Sequence, residues 1–262
     1  MQPLEAFPVD ARRAIRGVLA DIDDTITTDG RLTPEAYAAM ARIQDAGLLM
    51  IPITGRPAGW CDHIARMWPV DGVVGENGAF YFRYDHQQRK FYRRFAVSEE
   101  QAEENRAKLK KVAARVLDLV PGCALASDQQ YRLADIAIDF CEDVPRLATD
   151  AIDKIVSIME DEGLTAKVSS IHVNGWFGDY DKLTMTRTLM DECFSIDINK
   201  TKENFVFVGD SPNDQPMFEF FPHAVGVANL ENFSAQLDHA PTYITRGEGG
   251  TGFAEVADLL AF

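Results

Sequence analysis

With 262 residues the chain can bury a sizeable core and hold one large domain or two modest ones, and its composition is ordinary for a soluble globular protein. A formal net charge of -15, from 41 acidic and 26 basic residues, argues against a nucleic-acid surface and repels anions, so a phosphate-bearing ligand would need cations placed locally. The four cysteines, Cys61, Cys123, Cys141 and Cys193, are too scattered for a CxxC pair and too few for a disulfide framework, which fits reduced thiols and no zinc site.

Residues 1–16 lack the basic start and apolar core of a signal peptide. No run approaches the roughly 20 apolar residues of a membrane span. The expectation is a soluble, cytoplasmic protein, monomeric or dimeric, with no nucleic-acid or membrane partner.

The chain is organised around Val18-Leu-Ala-Asp-Ile-Asp-Asp-Thr-Ile-Thr27, where an apolar run ends abruptly in three aspartates and a threonine. Such a run followed at once by carboxylates reads as a buried strand delivering side chains to a crevice at its C-terminal end. Asp21 and Asp23 would share a face of an extended strand, whereas a turn beginning at Asp23 could aim the second carboxylate elsewhere.

Thr33-Pro34-Glu35 is a helix start, with a capping threonine and proline at the first helical position, and the helix should stop at Gly47. Residues 48–53 form a second apolar strand ending in Thr54-Gly55-Arg56-Pro57, then a helix with Trp60, Ile64 and Met67 at helical spacing, then a short strand over 71–75. Strand alternating with helix implies a parallel sheet with right-handed crossovers.

From Ala79 the rhythm changes. Residues 80–84 and 90–95 flank a polar turn and read as an antiparallel hairpin, followed by a long amphipathic helix over 98–119. An alternating strand over 133–140, a helix over 145–162 and one strand over 166–173 complete an inserted α+β unit. The first rhythm then returns: a helix over 184–193, a strand over 204–208 ending in Gly209-Asp-Ser-Pro-Asn-Asp214, and further strands and helices to 260. The fold class is therefore α/β, a Rossmann-like parallel sheet core, residues 1–79 and 179–262, with an inserted α+β domain, residues 80–178.

Asp21-Ile-Asp-Asp-Thr25 resembles the first motif of the haloacid dehalogenase (HAD) superfamily of phosphohydrolases. Thr54 resembles the second motif, Lys182 in Asp181-Lys-Leu the third, and Gly209 to Asp214 the fourth, GDxxND, all in the family's order. The insertion resembles the C2-type cap of the Cof-like branch (subclass IIB), which includes sucrose-phosphate phosphatase and mannosyl-3-phosphoglycerate phosphatase. The resemblance implies that Asp21 is the nucleophile and forms an aspartyl phosphate, and that Asp23 is the general acid and base. Thr54 and Lys182 would bind phosphoryl oxygens, with Gly55, Arg56 and Asn213 beside the substrate.

Phosphoryl transfer is catalysed mostly by positioning and charge neutralisation, and several crowded carboxylates need a hard divalent cation before a phosphate dianion can approach. By resemblance, Mg2+ would be held by Asp21, the backbone carbonyl of Asp23 and Asp210, with Asp214 supporting the metal shell or orienting Lys182.

Substrate choice would lie in the cap, where Arg132, Asp135, His172, Asn174 and Trp176 are candidate contacts. His172 and Trp176 are the substrate-binding residues expected there. The function implied is Mg2+-dependent hydrolysis of a small phosphorylated metabolite, a sugar phosphate. A phosphomutase would use the same Asp21 chemistry, and a phosphate-binding sensor needs no Asp23. A kinase is disfavoured because no GxxxxGK[ST] loop is present.

Overall fold

The continuous apolar runs become the parallel strands of one sheet, because only strands covered on both faces can be apolar throughout. The computed structural model describes residues 1–261. The chain opens with β1 (Gln2–Pro3), α1 (Val9–Ala14), β2 (Gly17–Ala20), β3 (Thr27–Thr28), β4 (Arg31–Leu32), α2 (Pro34–Asp45), β5 (Leu49–Pro52), α3 (Ala58–Met67) and β6 (Val73–Gly75). β7 (Phe80–Asp85), β8 (Lys90–Phe95), α4 (Glu99–Leu119), β9 (Ala124–Leu125), β10 (Asp135–Asp139), α5 (Thr149–Asp161), β11 (Thr165–Val168) and β12 (His172–Trp176) follow. The chain closes with α6 (Lys182–Phe194), α7 (Ile198–Thr201), β13 (Phe205–Gly209), α8 (Gln215–Phe220), β14 (His223–Gly226), β15 (Tyr243–Ile244) and α9 (Gly249–Leu260).

The parallel sheet runs β1-β15-β14-β13-β2-β5, so β2 and β13 lie side by side in its interior, each flanked by a strand on both sides. Both are buried along their whole length. Alternate residues face opposite layers, as a two-residue period requires: Val18, Val206 and Val208 pack with Met40, Ile43, Phe253 and Val256, while Leu19, Phe205 and Phe207 pack with Leu189, Met217 and Phe221. The carboxyl ends of these two central strands deliver Asp21 and Asp210 side by side. The α2 start is built as its sequence implied, with Pro34 at the first position and the Thr33 hydroxyl accepting the Ala36 N–H at 3.2 Å. Among the described residues no helix is long and apolar enough to cross a membrane.

The insertion carries a four-stranded antiparallel sheet, β11-β12-β10-β9. Its own core joins Leu109, Val112 and Val116 of α4 and Ile155 and Met159 of α5 to Ile136, Ile138 and Val173 of the sheet. Two expectations change here. The hairpin β7–β8, expected within the insertion, pairs antiparallel with β6, and an isolated bridge Ile53↔Val74 runs on towards β5. The hairpin therefore extends the parallel-sheet side. The single strand expected over 166–173 is a hairpin of two, because Ser169 Oγ accepts the N–H groups of Ile171 and His172 and turns the chain. That turn places Ser169, Ser170 and Ile171 at a tip facing the central strands' carboxyl ends.

One buried carboxylate joins the two parts. Glu76 Oε1 accepts the Ala58 N–H at the start of α3, at 2.9 Å, and Oε1 and Oε2 accept the N–H groups of Leu133, Ala134 and Asp135 leading into β10. Arg132 adds a second tie by donating to the carbonyl of Gly55 at 2.9 Å. The loop after β5 and the segment leading into β10 are thereby tied together.

Candidate active site

The two aspartates of the opening motif part company immediately after β2. Asp21 continues the strand, its N–H donating to the Val208 carbonyl at 2.9 Å. The backbone then turns: Asp24 has φ +56°, and the N–H groups of Thr25, Ile26 and Thr27 all donate back to the Ile22 carbonyl. As a result Asp21 meets Lys182, whereas Asp23 meets Arg56.

Lys182 opens α6, where the Asp181 side chain caps the helix by accepting the Thr184 N–H. Its Nζ donates to Asp21 Oδ1 at 3.1 Å and to Asp214 Oδ1 at 2.8 Å. Burial would lower its pKa, but the two carboxylates more than compensate and hold it above the ordinary lysine value. Asp21 is pushed up to about 7, chiefly by burial, with Lys182 opposing and Asp214 reinforcing the rise.

Asp210 ends β13 next to Asp21. Thr25 Oγ1 donates to its Oδ1 at 3.1 Å, and its own N–H donates to Asp214 Oδ2 at 3.2 Å. Its Oδ2 is buried and accepts no hydrogen bond, and burial together with Asp21 and Asp214 raises its pKa well above the carboxylate range. One oxygen each of Asp21, Asp210 and Asp214 lie within 4.8 Å of one another. Three hard oxygen donors around an orphaned carboxylate oxygen are a donor set that fits a hard divalent cation such as Mg2+. The Asp23 side chain is not in this cluster.

Thr54, fully buried after β5, accepts the Arg56 N–H on its Oγ1 at 3.0 Å. Arg56 reaches back: its Nε donates to Asp23 Oδ1 and Oδ2 at 2.9 and 3.0 Å, and its Nη2 lies 2.7 Å from Oδ1. Asn213 Oδ1 accepts the Ser211 hydroxyl at 2.7 Å. A cleft between the central strands and the β11–β12 tip is lined by Asp21, Asp23, Gly55, Arg56, Ser211 and Asn213 from below. From above it is lined by Arg132, Ser169, Ser170, Ile171, His172 and Asn174.

The expected site residues thus collect at one place, with one departure. Trp176 is 1% exposed, stacks on Tyr180 and donates from Nε1 to its carbonyl at 3.2 Å. It lines a separate cavity beside Lys182, away from the cleft over Asp21. Its ring packs against Tyr180 in the loop that follows β12. Sequence reasoning missed Thr25, which sits in the motif itself, and the Ser169–Ile171 tip, hidden by the unread turn. It also missed Asp128 and Glu142, which reach Arg56 from the insertion and carry no local signal.

Residues 18–119 match the family model described as haloacid dehalogenase-like hydrolase. The chain is 25% identical over 253 residues to the phosphoglycolate phosphatase of Methanobrevibacter smithii, covering 93% of this chain and 97% of that protein. Among solved structures it shares its fold with a Thermoplasma acidophilum protein at 19% identity and a TM-score of 0.68, over 94% of this chain and 99% of that one. It likewise shares it with the sucrose-phosphatase of Synechocystis at 15% identity and a TM-score of 0.64, over 94% and 98%. The α/β fold class and the resemblance read from the four motifs agree with these findings.

Proposed function

We propose that this chain, a haloacid dehalogenase-like hydrolase and a phosphatase, removes phosphate from a small phosphorylated metabolite of the sugar-phosphate class through an aspartyl phosphate on Asp21, with Mg2+ as cofactor. The observation that carries the reading is the division of labour between the first two aspartates. Asp21 is buried against Lys182 and the Asp210–Asp214 pair, while Asp23 is held apart by Arg56 with its carboxylate at the cleft.

In this reading Asp21 attacks phosphorus and the ester P–O bond breaks. Asp23 delivers its proton to the departing alkoxide, then takes a proton from water as that water attacks the aspartyl phosphate, releasing orthophosphate and restoring the Asp21 carboxylate. Lys182 and the Thr54 hydroxyl donate to phosphoryl oxygens, with Gly55 and Asn213 bounding the pocket. Asp21, Asp210 and Asp214, with the Asp23 carbonyl, would hold the cation. When bound, Mg2+ supplies neutralisation of the carboxylates and of the charge developing on the phosphoryl group.

The substrate class is supported by the cap-like insertion and by the name of the Synechocystis relative. A second reading, phosphoglycolate or a similar phosphorylated hydroxy acid, is favoured by the Methanobrevibacter relative and by the guanidinium-bearing Arg56 and Arg132 among the residues that line the cleft. We take the insertion as roughly 96–178 and place a hinge at its second crossing to the core, where Gly178 has φ of +122°. The decisive experiment is a hydrolysis screen of sugar phosphates and phosphorylated hydroxy acids with and without Mg2+. Orthophosphate release that depends on Mg2+ is expected, and undiminished turnover in excess chelator would refute the metal assignment. A sugar bisphosphate accumulating in place of orthophosphate would indicate a mutase.

A further inference from the structure

Arg56 is held by carboxylates from both parts of the molecule. From the core, Asp23 takes its Nε on both oxygens. From the insertion, Glu142 Oε1 accepts from Nη2 at 2.8 Å, and Asp128 Oδ2 lies 3.4 Å from Nη1. The other oxygen of Glu142 lies 2.9 Å from His172 Nε2. Acidic and basic side chains therefore alternate in one line that crosses from the core to the insertion: Asp23, Arg56, Glu142, His172.

The line is built, not incidental. Asp139 at the end of β10 accepts the N–H groups of Cys141 and Glu142 on Oδ1, at 2.8 and 2.7 Å, and that of Asp143 on Oδ2 at 2.8 Å. This fixes the backbone from which Glu142 reaches. Asp139 is also the antiparallel partner of His172, so the loop and the histidine are set by the same strand pair. Arg56 is only 4% exposed and lies over the Trp60 ring at 4.5 Å, which leaves its guanidinium little freedom except along this line. Although burial raises the Glu142 pKa, His172 and Arg56 outweigh it and hold the carboxyl down at about 2, so the acid arrives ionised.

We propose that Glu142, braced by His172, is a positioning residue for the reaction: it holds the Arg56 guanidinium so that Asp23 is aimed at the leaving-group oxygen only when the inserted domain sits over the core. Three physical points support this. A guanidinium presents its donors in one rigid plane, so a carboxylate fixing Nη2 fixes the direction in which Nε faces Asp23. Glu142 Oε1 and Asp23 Oδ1 also meet the same nitrogen, Nη2, at 2.8 and 2.7 Å, so a shift of one carboxylate moves the donor that the other uses. Finally, the partners come from different parts of the chain, so the acid is complete only in the assembled arrangement.

The inference rests on the reading of Asp23 as the acid, and leaving-group dependence tests the two separately. A good leaving group needs little protonation and a poor one needs much, so the holoenzyme is assayed with 4-nitrophenyl phosphate and with phenyl phosphate, which differ little in shape. Glu142→Gln should lower kcat for phenyl phosphate on the order of tenfold while changing 4-nitrophenyl phosphate by less than about threefold, a fraction of the full effect of a general acid. His172→Gln, which removes the brace on the other carboxylate oxygen, should give the same selective loss at smaller size. Asp23→Asn calibrates the scale with the largest split. If Asp23→Asn shows the split and both cap variants lose the two esters equally, Glu142 does not act on the acid and the inference is overturned. If Asp23→Asn itself shows no split, the reading of Asp23 falls and the inference falls with it.

Discussion

Lys182→Met replaces a buried cation by an apolar side chain of similar length. Lys182 Nζ bridges Asp21 and Asp214, and the three side chains are 7%, 7% and 0% exposed. Removing the cation leaves two buried carboxylates facing each other, a change that costs about 3–5 kcal/mol when no proton or metal compensates. For a protein of this size each kcal/mol shifts Tm by about 2–4 °C, so a fall of roughly 6–20 °C is expected in excess chelator. The sign of the pH dependence follows from Asp21. Its pKa in the folded protein, about 7 against an ordinary 3.8, means that ionisation opposes folding: stability is fully present below the unfolded pKa and lost as pH rises through the folded one. Without Lys182 the folded pKa rises further, so the Tm deficit should be small near about pH 5 and grow towards about pH 8. Thermal unfolding followed by near-UV circular dichroism at several pH values measures this. A deficit independent of pH, or one below about 1 °C throughout, would refute the claim that Lys182 neutralises this cluster.

The other perturbations follow from single contacts. A Cβ at Gly209 would fall 2.5 Å from Asp214 Oδ2 and 2.8 Å from its Cγ, so Gly209→Ala should displace Asp214 from Lys182 and lower kcat by on the order of 10²-fold with the far-UV spectrum unchanged; full activity would show that Asp214 need not stand there. Thr25→Val removes the donor to Asp210 Oδ1 with little change of shape, so the Mg2+ concentration for half-maximal activity should rise about tenfold or more while kcat at saturation stays within a few-fold. An unchanged Mg2+ titration would contradict that coupling. Glu142, whose folded pKa of about 2 lies below its ordinary 4.5, should contribute about 1 kcal/mol after allowance for solvent screening, present above its unfolded pKa and lost as pH falls through the folded one. Urea titrations of the chain and of Glu142→Gln should therefore converge towards about pH 2 and separate above about pH 5.

The central sheet was legible because β2, β5 and β13 are covered on both faces and so read as unbroken apolar runs. The residues at their carboxyl ends were legible for the same reason: a run that ends in Asp21 or Asp210 has one place to put the carboxylate. What escaped depended on partners distant in sequence. The β7–β8 pattern announces a hairpin but not that β6 will be its third strand. The Ser169 turn rests on a hydroxyl accepting two N–H groups, which looks from sequence like any serine in a strand. Trp176 and His172 both stand on β12, an even number of residues apart, yet the indole is drawn to Tyr180 while the imidazole stays at the cleft. Glu142 meets Arg56 only because Asp139 pairs with His172 in this register.

The central claim, that Asp21 carries the phosphoryl group, is tested most directly by trapping it. Asp23→Asn, mixed with Mg2+ and 4-nitrophenyl phosphate and quenched in acid, should be digested and its peptides sequenced by mass spectrometry. The account predicts one phosphorylated site, on the carboxylate of Asp21, formed together with a burst of nitrophenol and absent from Asp21→Asn. A burst with the phosphoryl group on another residue, or turnover in the same sample with Asp21 unmodified, would contradict it.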